Sequence, residues 1–385
     1  RIEKAEPWVK GDPAQFRASV PPRYPIRRYP DITHSLSCQY PVRDWDPAWA
    51  ATLGRECYNP RPLDHKAIHN AYVNCADGSL SYSEGINDDV NKFVWSDQDW
   101  DPDTPVGETL RDYARLFISP DHVEEISEGL LGFERNWRGP IAANPHVQST
   151  FGLWRRLEEE LSAAARSNYR LVLALVRAYY DEYVRRRYHR EGGLEAEVVS
   201  ILDRMDEKDC AESMQMALSL VGKSREPAEF AYLKDRCIEL ADRAFDLIRW
   251  QTSVERHKGQ AVVRGCFLDA IDYAITDLAF YGQELERAIA LGGPERQLAV
   301  LREALERARP RTTGRFIDLS SVEGRCEVGK ERAWEEDPSG QSLPYTTNLP
   351  APWPSYDVPA DAARRGNQGF PGPIVERSYV STFYC

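Results

Sequence analysis

Between residues 104 and 309 the apolar side chains of this sequence return every three or four positions, with few interruptions. Phe151, Trp154, Leu157 and Leu161 form one such stripe, and Phe230, Leu233, Cys237 and Leu240 another. A period near 3.6 residues puts each set on one helix face, and burying those faces requires helices packed on helices. Thr104-Pro105 and Ser119-Pro120 read as helix starts, because Pro at the first helical position sacrifices no hydrogen bond. Gly192-Gly193, Gly222 and Gly292-Gly293-Pro294 read as breaks between helices. No fixed repeat period emerges, so the zone reads as a bundle and not as a solenoid. The stripes are core positions, and no cofactor is expected from them.

The flanks have a different texture. Residues 1–103 mix short β-like runs with Pro-rich turns, and 32–40 and 71–82 are the strand candidates. Residues 310–385 are irregular and rich in Pro, with Pro350, Pro352, Pro354 and Pro359 close together. Trp334, Tyr345, Trp353, Tyr356 and Phe370 lie among them, which favours a strap docked on a folded surface over free disorder. The chain therefore divides into 1–103, 104–309 and 310–385.

Charge and cysteine usage narrow the partners. A formal charge of −12 argues against a nucleic-acid backbone, which is held by clustered Lys and Arg. The one dense basic run, Arg185-Arg186-Arg187, sits in a helical pattern and is expected to face solvent. The longest apolar stretch, 171–176, stops at Arg177, far short of the roughly 18 residues a membrane span needs. Eight cysteines occur without a CxxC pair, so no structural metal site is indicated. Cys210, Cys237 and Cys266 read as small buried hydrophobes, and Cys385 as the cysteine to suspect of reactivity or of pairing with another chain. Asp97, Asp99, Asp101 and Glu108 have the ligand spacing of a calcium loop, but Pro102 falls where that loop needs a positive φ. No metal is expected. No phosphate-binding loop, dinucleotide fingerprint or GxSxG elbow is present.

Two stretches carry a resemblance: RYPDITHSLSCQYPVRDWDPAWAATLGRECYNP at 28–60 and YSEGINDDVNKFVWSDQDWDP at 82–102, followed by FERNWRGP at 133–140. Together they resemble a group of uncharacterised bacterial proteins with a TIM-barrel, glycoside-hydrolase-like domain and a helical domain after it. The resemblance implies that the two stretches are late barrel strands with their loops. The expected fold is thus mainly α, with a partial α/β, TIM-barrel-like N-terminal segment, a helical bundle and an irregular Pro-rich tail. A barrel shows its active-site residues where strands give way to loops, and His34 and Glu84 would stand at such points. They are the candidate catalytic residues, with Tyr40, Trp45, Tyr82 and Asn87 as candidate sugar-binding residues. Asn87 is also placed to cap a helix whose first turn holds Asp88 and Asp89 as capping charges. Asp44 and Asp46 flank Trp45 in what reads as a turn before a helix at Ala48.

The implied function is part of a carbohydrate-active enzyme that hydrolyses glycosidic bonds, with carbohydrate as the partner. Aromatics at 11% of the chain, including 10 Trp, suit stacking on sugar rings. Two or three strands cannot close a barrel of eight, so the remaining strands are expected from an N-terminal fragment or a second chain. The rival expectation is a non-catalytic assembly protein whose bundle and tail make subunit contacts in an oligomer.

Overall fold

Helix dominates: 68% of the described residues are helical and 3% extended, so the chain is mainly α. The structure, a computed structural model, describes residues 13–308 apart from 36–37, 39, 41, 43–44 and 225–227. Asp44 and the Pro-rich region from 310 onward, with its aromatics, Cys326 and Cys385, lie outside the described residues.

In chain order, α1 (Pro13–Ser19) leads to strand β1 (Arg27–Arg28), and α2 (Pro47–Leu53) and α3 (Pro62–Ala71) lead to strand β2 (Gly78–Ser79). Then come α4 (Asp89–Trp100), α5 (Val106–Phe117), α6 (Val123–Asn136), α7 (His146–Glu160) and the single turn α8 (Ala163–Arg166). The long α9 (Tyr169–Arg204) precedes α10 (Cys210–Gly222), α11 (Ala228–Ile248) and the short α12 (Val254–His257). An irregular stretch with two 3-10 turns leads to α13 (Leu278–Leu291) and α14 (Pro294–Ala308).

The strands pair in parallel, Arg27 opposite Gly78 and Arg28 opposite Ser79. The pairing persists to a bridge between Asp31 and Tyr82, where Tyr82 N–H donates to the Pro30 carbonyl at 2.7 Å. Strand β1 lies before the expected 32–40, where no strand forms among the described residues, and β2 covers only two residues of the expected 71–82. Beyond the bridge, the Asp31 carboxylate accepts from the N–H groups of Thr33 (3.0 Å) and His34 (3.2 Å). That local turn competes with a ladder and ends β1. On the other side, α3 and a 3-10 turn at Val73–Cys75 occupy the first half of the predicted strand.

Two large hydrophobic cores result, with a small third cluster of Ile32, Ile68 and Trp95. The larger joins Trp49, Tyr58 and Val90 to Phe133, Trp154, Leu171, Tyr180, Leu233 and Leu240. The smaller gathers Val198 and Leu202 around Met214, Leu285 and Leu301. The expected stripes at 151–161 and 230–240 are buried in the larger core. Helix α9 serves both cores and runs unbroken through Gly192 and Gly193, against the expected break. A glycine pair costs a helix interior about 1 kcal/mol per residue, and packing of the helix into a core on either side outweighs it.

Two further expectations need correction. Arg187 does not face solvent: it is buried, donating to Glu191 at 2.8 Å and to the carbonyls of Ile271 and Tyr273. Arg185 and Arg186 both hold Glu182, whose side chain is wholly buried. The helix starts also fall later than the Pro signals suggest: α5 begins at Val106 with Pro105 as its cap, and α6 at Val123. Among the described cysteines, Cys38, Cys57, Cys210, Cys237 and Cys266 are buried thiols. No described helix is long and apolar enough to cross a membrane.

The close approach of α6 and α7 is set by Gly129, where an added methyl would lie 2.7 Å from the Trp154 ring. That ring is fixed: it stacks on Phe133 at 5.4 Å and its Nε1–H donates to the Gly129 carbonyl at 3.1 Å. Gly129→Ala is therefore expected to lower stability by about 1–3 kcal/mol through overpacking. Gly152→Ala, where nothing lies within 4 Å, should instead stabilise slightly. Urea midpoints at unchanged slope would read both, and equal effects would refute this account of the helix contact.

Candidate functional site at the ends of the parallel strands

The two strand ends deliver His34 and Glu84 to one place. The turn closed by Asp31 carries His34 inward, leaving its side chain 2% exposed. After Tyr82 and Ser83, Glu84 precedes Gly85, whose φ of +123° turns the chain in a way L side chains rarely adopt. Thr33 locks the two ends together, accepting from the Glu84 N–H at 3.0 Å and donating to the buried Asp88 carboxylate. Asp88 also takes the Ser83 hydroxyl and the Lys92 ammonium, each at 3.0 Å.

A third acid arrives from elsewhere. Glu56 follows α2 and is held through its carbonyl, which accepts from Asn87 at 2.8 Å. Its carboxylate lies 3.3 Å from His34 Nε2, which stands 3.8 Å from Glu84. Arg264, in the 3-10 turn Val262–Arg264, spans the two acids, 2.6 Å from Glu56 and 2.7 Å from Glu84. Tyr82 donates its hydroxyl to Glu84 and stacks its ring on His34 with centroids 5.7 Å apart. On the far side of the imidazole, Nδ1 meets Asp31 at 2.7 Å, with Arg55 flanking at 3.5 Å.

These contacts set the charges. Burial by itself would lower the His34 pKa, but hydrogen bonds to Asp31 and Glu56 outweigh it and the net shift is upward. For Glu84, burial raises the pKa, while the Tyr82 hydroxyl, Arg264 and His34 together bring it below the ordinary value. Glu84 is thus kept ionised. The same contact pushes the Tyr82 phenol up to about 12, its bond to Glu84 being the largest cause. The cluster thus sets an imidazole and a guanidinium against acidic side chains and presents the ionised Glu84 carboxylate at its edge.

His34, Glu56 and Glu84 each offer a ligand atom, all within 4.8 Å of one another, a nitrogen and two carboxylates of the kind that hold a zinc- or manganese-class ion. Here the Arg264 guanidinium fills the position of the cation. The acids with calcium-loop spacing are held separately: Asp99 pairs with His69 and Asp97 accepts from Thr109.

Of the expected sugar-binding residues, Tyr82 belongs to the cluster and Asn87 supports it. Asn87 does not cap α4; its amide instead links the Glu56 carbonyl to Trp250 Nε1, 2.9 Å from Asn87 Oδ1. Asp88 occupies the cap position without a side-chain cap bond, and Asp89 pairs with Arg170 at 2.7 Å. Tyr40 packs against Ile32, Ile68 and Trp95, and Trp45 against Trp137 at 5.0 Å, so both serve the core. The turn at Asp46 does precede α2, its carboxylate accepting from the Ala48 and Ile141 N–H groups. Asp31, Glu56 and Arg264 escape sequence reasoning. Only Asp31, three residues before His34 and after a Pro, carries a turn signal that points to it.

A second polar chain, Thr252 to His257 to Asp242, has the order of a nucleophilic relay, at 3.0 and 2.9 Å. Thr252 is wholly buried, however, and its own N–H also donates to the same ring nitrogen. The histidine therefore pins a turn and does not activate the hydroxyl. Comparisons with family models, curated proteins and solved structures return no match for the chain.

The Asp31–His34 pair makes stability depend on pH. A raised His34 pKa contributes stability fully present below the unfolded value of about 6.5 and lost as pH rises through the folded pKa. The Asp31 pKa, with burial opposing and His34 prevailing, is lowered, so its contribution is present above about 3.9 and lost on acidification through the folded value. The pair stabilises most between those limits. Asp31→Asn should therefore lose more stability at pH 5.5 than at pH 8.5 (about one unit below and about two units above the His reference). Urea midpoints test this, and a pH-independent difference from wild type would refute it.

Proposed function

We propose that this chain contributes a carboxylate centre to a glycoside-hydrolase-like site, with Glu84 the carboxylate that meets the sugar. The observation that carries this reading is the convergence of His34 and Glu84, 3.8 Å apart, at the C-terminal ends of adjacent parallel strands. Open and closed parallel sheets alike place ligands at that end. Helices α2 and α3 in the crossover between β1 and β2 support the finer expectation of a TIM-barrel-like segment, since successive barrel strands are connected through helices.

The chemistry follows from the charges. An ionised carboxylate, held by Tyr82, Arg264 and His34, suits attack on the anomeric carbon or stabilisation of an oxocarbenium-like transition state. It does not suit donation of a proton to the leaving oxygen, which needs a carboxylic acid of raised pKa. In this reading the proton donor lies outside the cluster, on a barrel strand from another segment or a second chain. A rival assembly role draws on exposed apolar groups, notably Trp100 (92% exposed) and Leu116 (72%), which suit subunit contacts.

With the native particle, glycoside hydrolysis should fall on the order of 10³-fold in Glu84→Gln, with folding unchanged. Tyr82→Phe should move the acidic limb of the rate profile to higher pH, because the hydroxyl lowers the Glu84 pKa. Unchanged hydrolysis in Glu84→Gln would overturn the assignment. A particle without hydrolysis, whose subunit contacts are lost in Trp100→Ser, would favour assembly.

A further inference from the structure

A cavity of about 320 Å³ opens where the two cores meet along α9. Tyr183 and Phe230 of the larger core form one wall and Leu278 of the smaller core the other. Its volume lies at the lower end of the range for small-molecule sites. Nothing in the hydrolytic reading uses it.

The polar lining is rich in donors and poor in free acceptors. Arg187, Arg190 and Lys234 line it with two carboxylates, Glu191 and Asp272, and a third, the mostly exposed Glu229, meets Arg190 from outside the lining, where solvent screens the pair. Both lining carboxylates are engaged already: Glu191 by Arg187 at 2.8 Å and Asp272 by Tyr183 at 2.9 Å and by Lys234. Arg187 commits three N–H groups to Glu191, Ile271 and Tyr273, so two of its five remain. Arg190 sends one donor to the Lys223 carbonyl at 3.0 Å and one to Glu229 at 3.3 Å, while its Nε is buried with no partner among the described residues. A buried guanidinium donor without an acceptor is costly.

An occupant of this cavity must therefore bring acceptors and negative charge. The aromatic wall offers no platform for a neutral sugar, because Tyr183 and Phe230 are both buried and meet edge to face. We infer that the cavity binds a small hydroxylated anion, its carboxylate or phosphate group held by Arg190 and Lys234 and its hydroxyls beside Ser224.

Calorimetric titration of the whole protein at fixed ionic strength tests this, with glucose 6-phosphate, glucuronate, inorganic phosphate and glucose as probes. Saturable binding of at least one anionic sugar is expected, roughly tenfold or more tighter than glucose. Arg190→Met should weaken it by a similar factor, and Lys234→Gln provides a second variant should the first fail to fold. Arg155→Met, on the separate surface groove of α7, should leave it unchanged. Preference for the phosphorylated sugar or for the uronate identifies the head group. Absence of saturable anion binding up to about 10 mM, binding of glucose as tight as that of the anions, or equal weakening by Arg155→Met would each overturn the inference.

Discussion

One buried guanidinium ties the site-bearing segment to the helical bundle. Arg177 on α9 pairs with Asp181 at 2.6 Å and donates to the Tyr58 carbonyl at 2.7 Å. Its guanidinium lies 3.8 Å over the Trp137 ring. Asp181 is held in turn by Asn136 at 2.8 Å. Stripping one partner from such a buried pair typically costs about 3–5 kcal/mol, because the other charge is left without compensation. Tyr58 lies two residues beyond Glu56, so the same interaction that orders the bundle fixes the backbone that presents the third acid. The arginine that ends the 171–176 apolar stretch in sequence thus joins the two parts of the structure in space.

The bundle also reaches into the site directly. Trp250, just after α11, donates to Asn87, which holds the Glu56 carbonyl. Gly265 has a left-handed φ of +94°, and a side chain there would sit 3.3 Å from that carbonyl. Arg264 is therefore carried into place by a backbone that only glycine follows easily. The helical zone is not simply a buttress behind a catalytic segment; it supplies the cation that balances the cluster.

This division explains what was legible in the sequence. The mainly helical fold could be read because stripes such as 151–161 repeat a local period that burial enforces. His34 and Glu84 are singled out by the resemblance, which places them where strands give way to loops; their neighbours alone mark only polar groups at a turn. Glu56 lies 22 residues from His34 and Arg264 lies 180 from Glu84, each in an irregular segment with no period. Their relevance exists only after folding. The strand lengths misled because the Asp31 side chain offers the backbone a nearer acceptor than a neighbouring strand does. Arg187 misled because a charge run looks solvated until the carbonyls of Ile271 and Tyr273 are brought to it.

Helix α9 is a rod of about 54 Å at 1.5 Å per residue, and its glycine pair falls between the last residues it gives to the larger core and the first it gives to the smaller. At Gly192 and Gly193 themselves the helix has open space in place of side chains and weak helix propensity, while Glu191 and Leu194 on either side are packed. The two cores are thus joined through the point of the helix with the least intrinsic stiffness, where units that open separately would divide. The Glu84 cluster belongs to the unit built on the larger core. Fluctuations that expose the smaller core can relax at the glycine pair without loosening the geometry of the site.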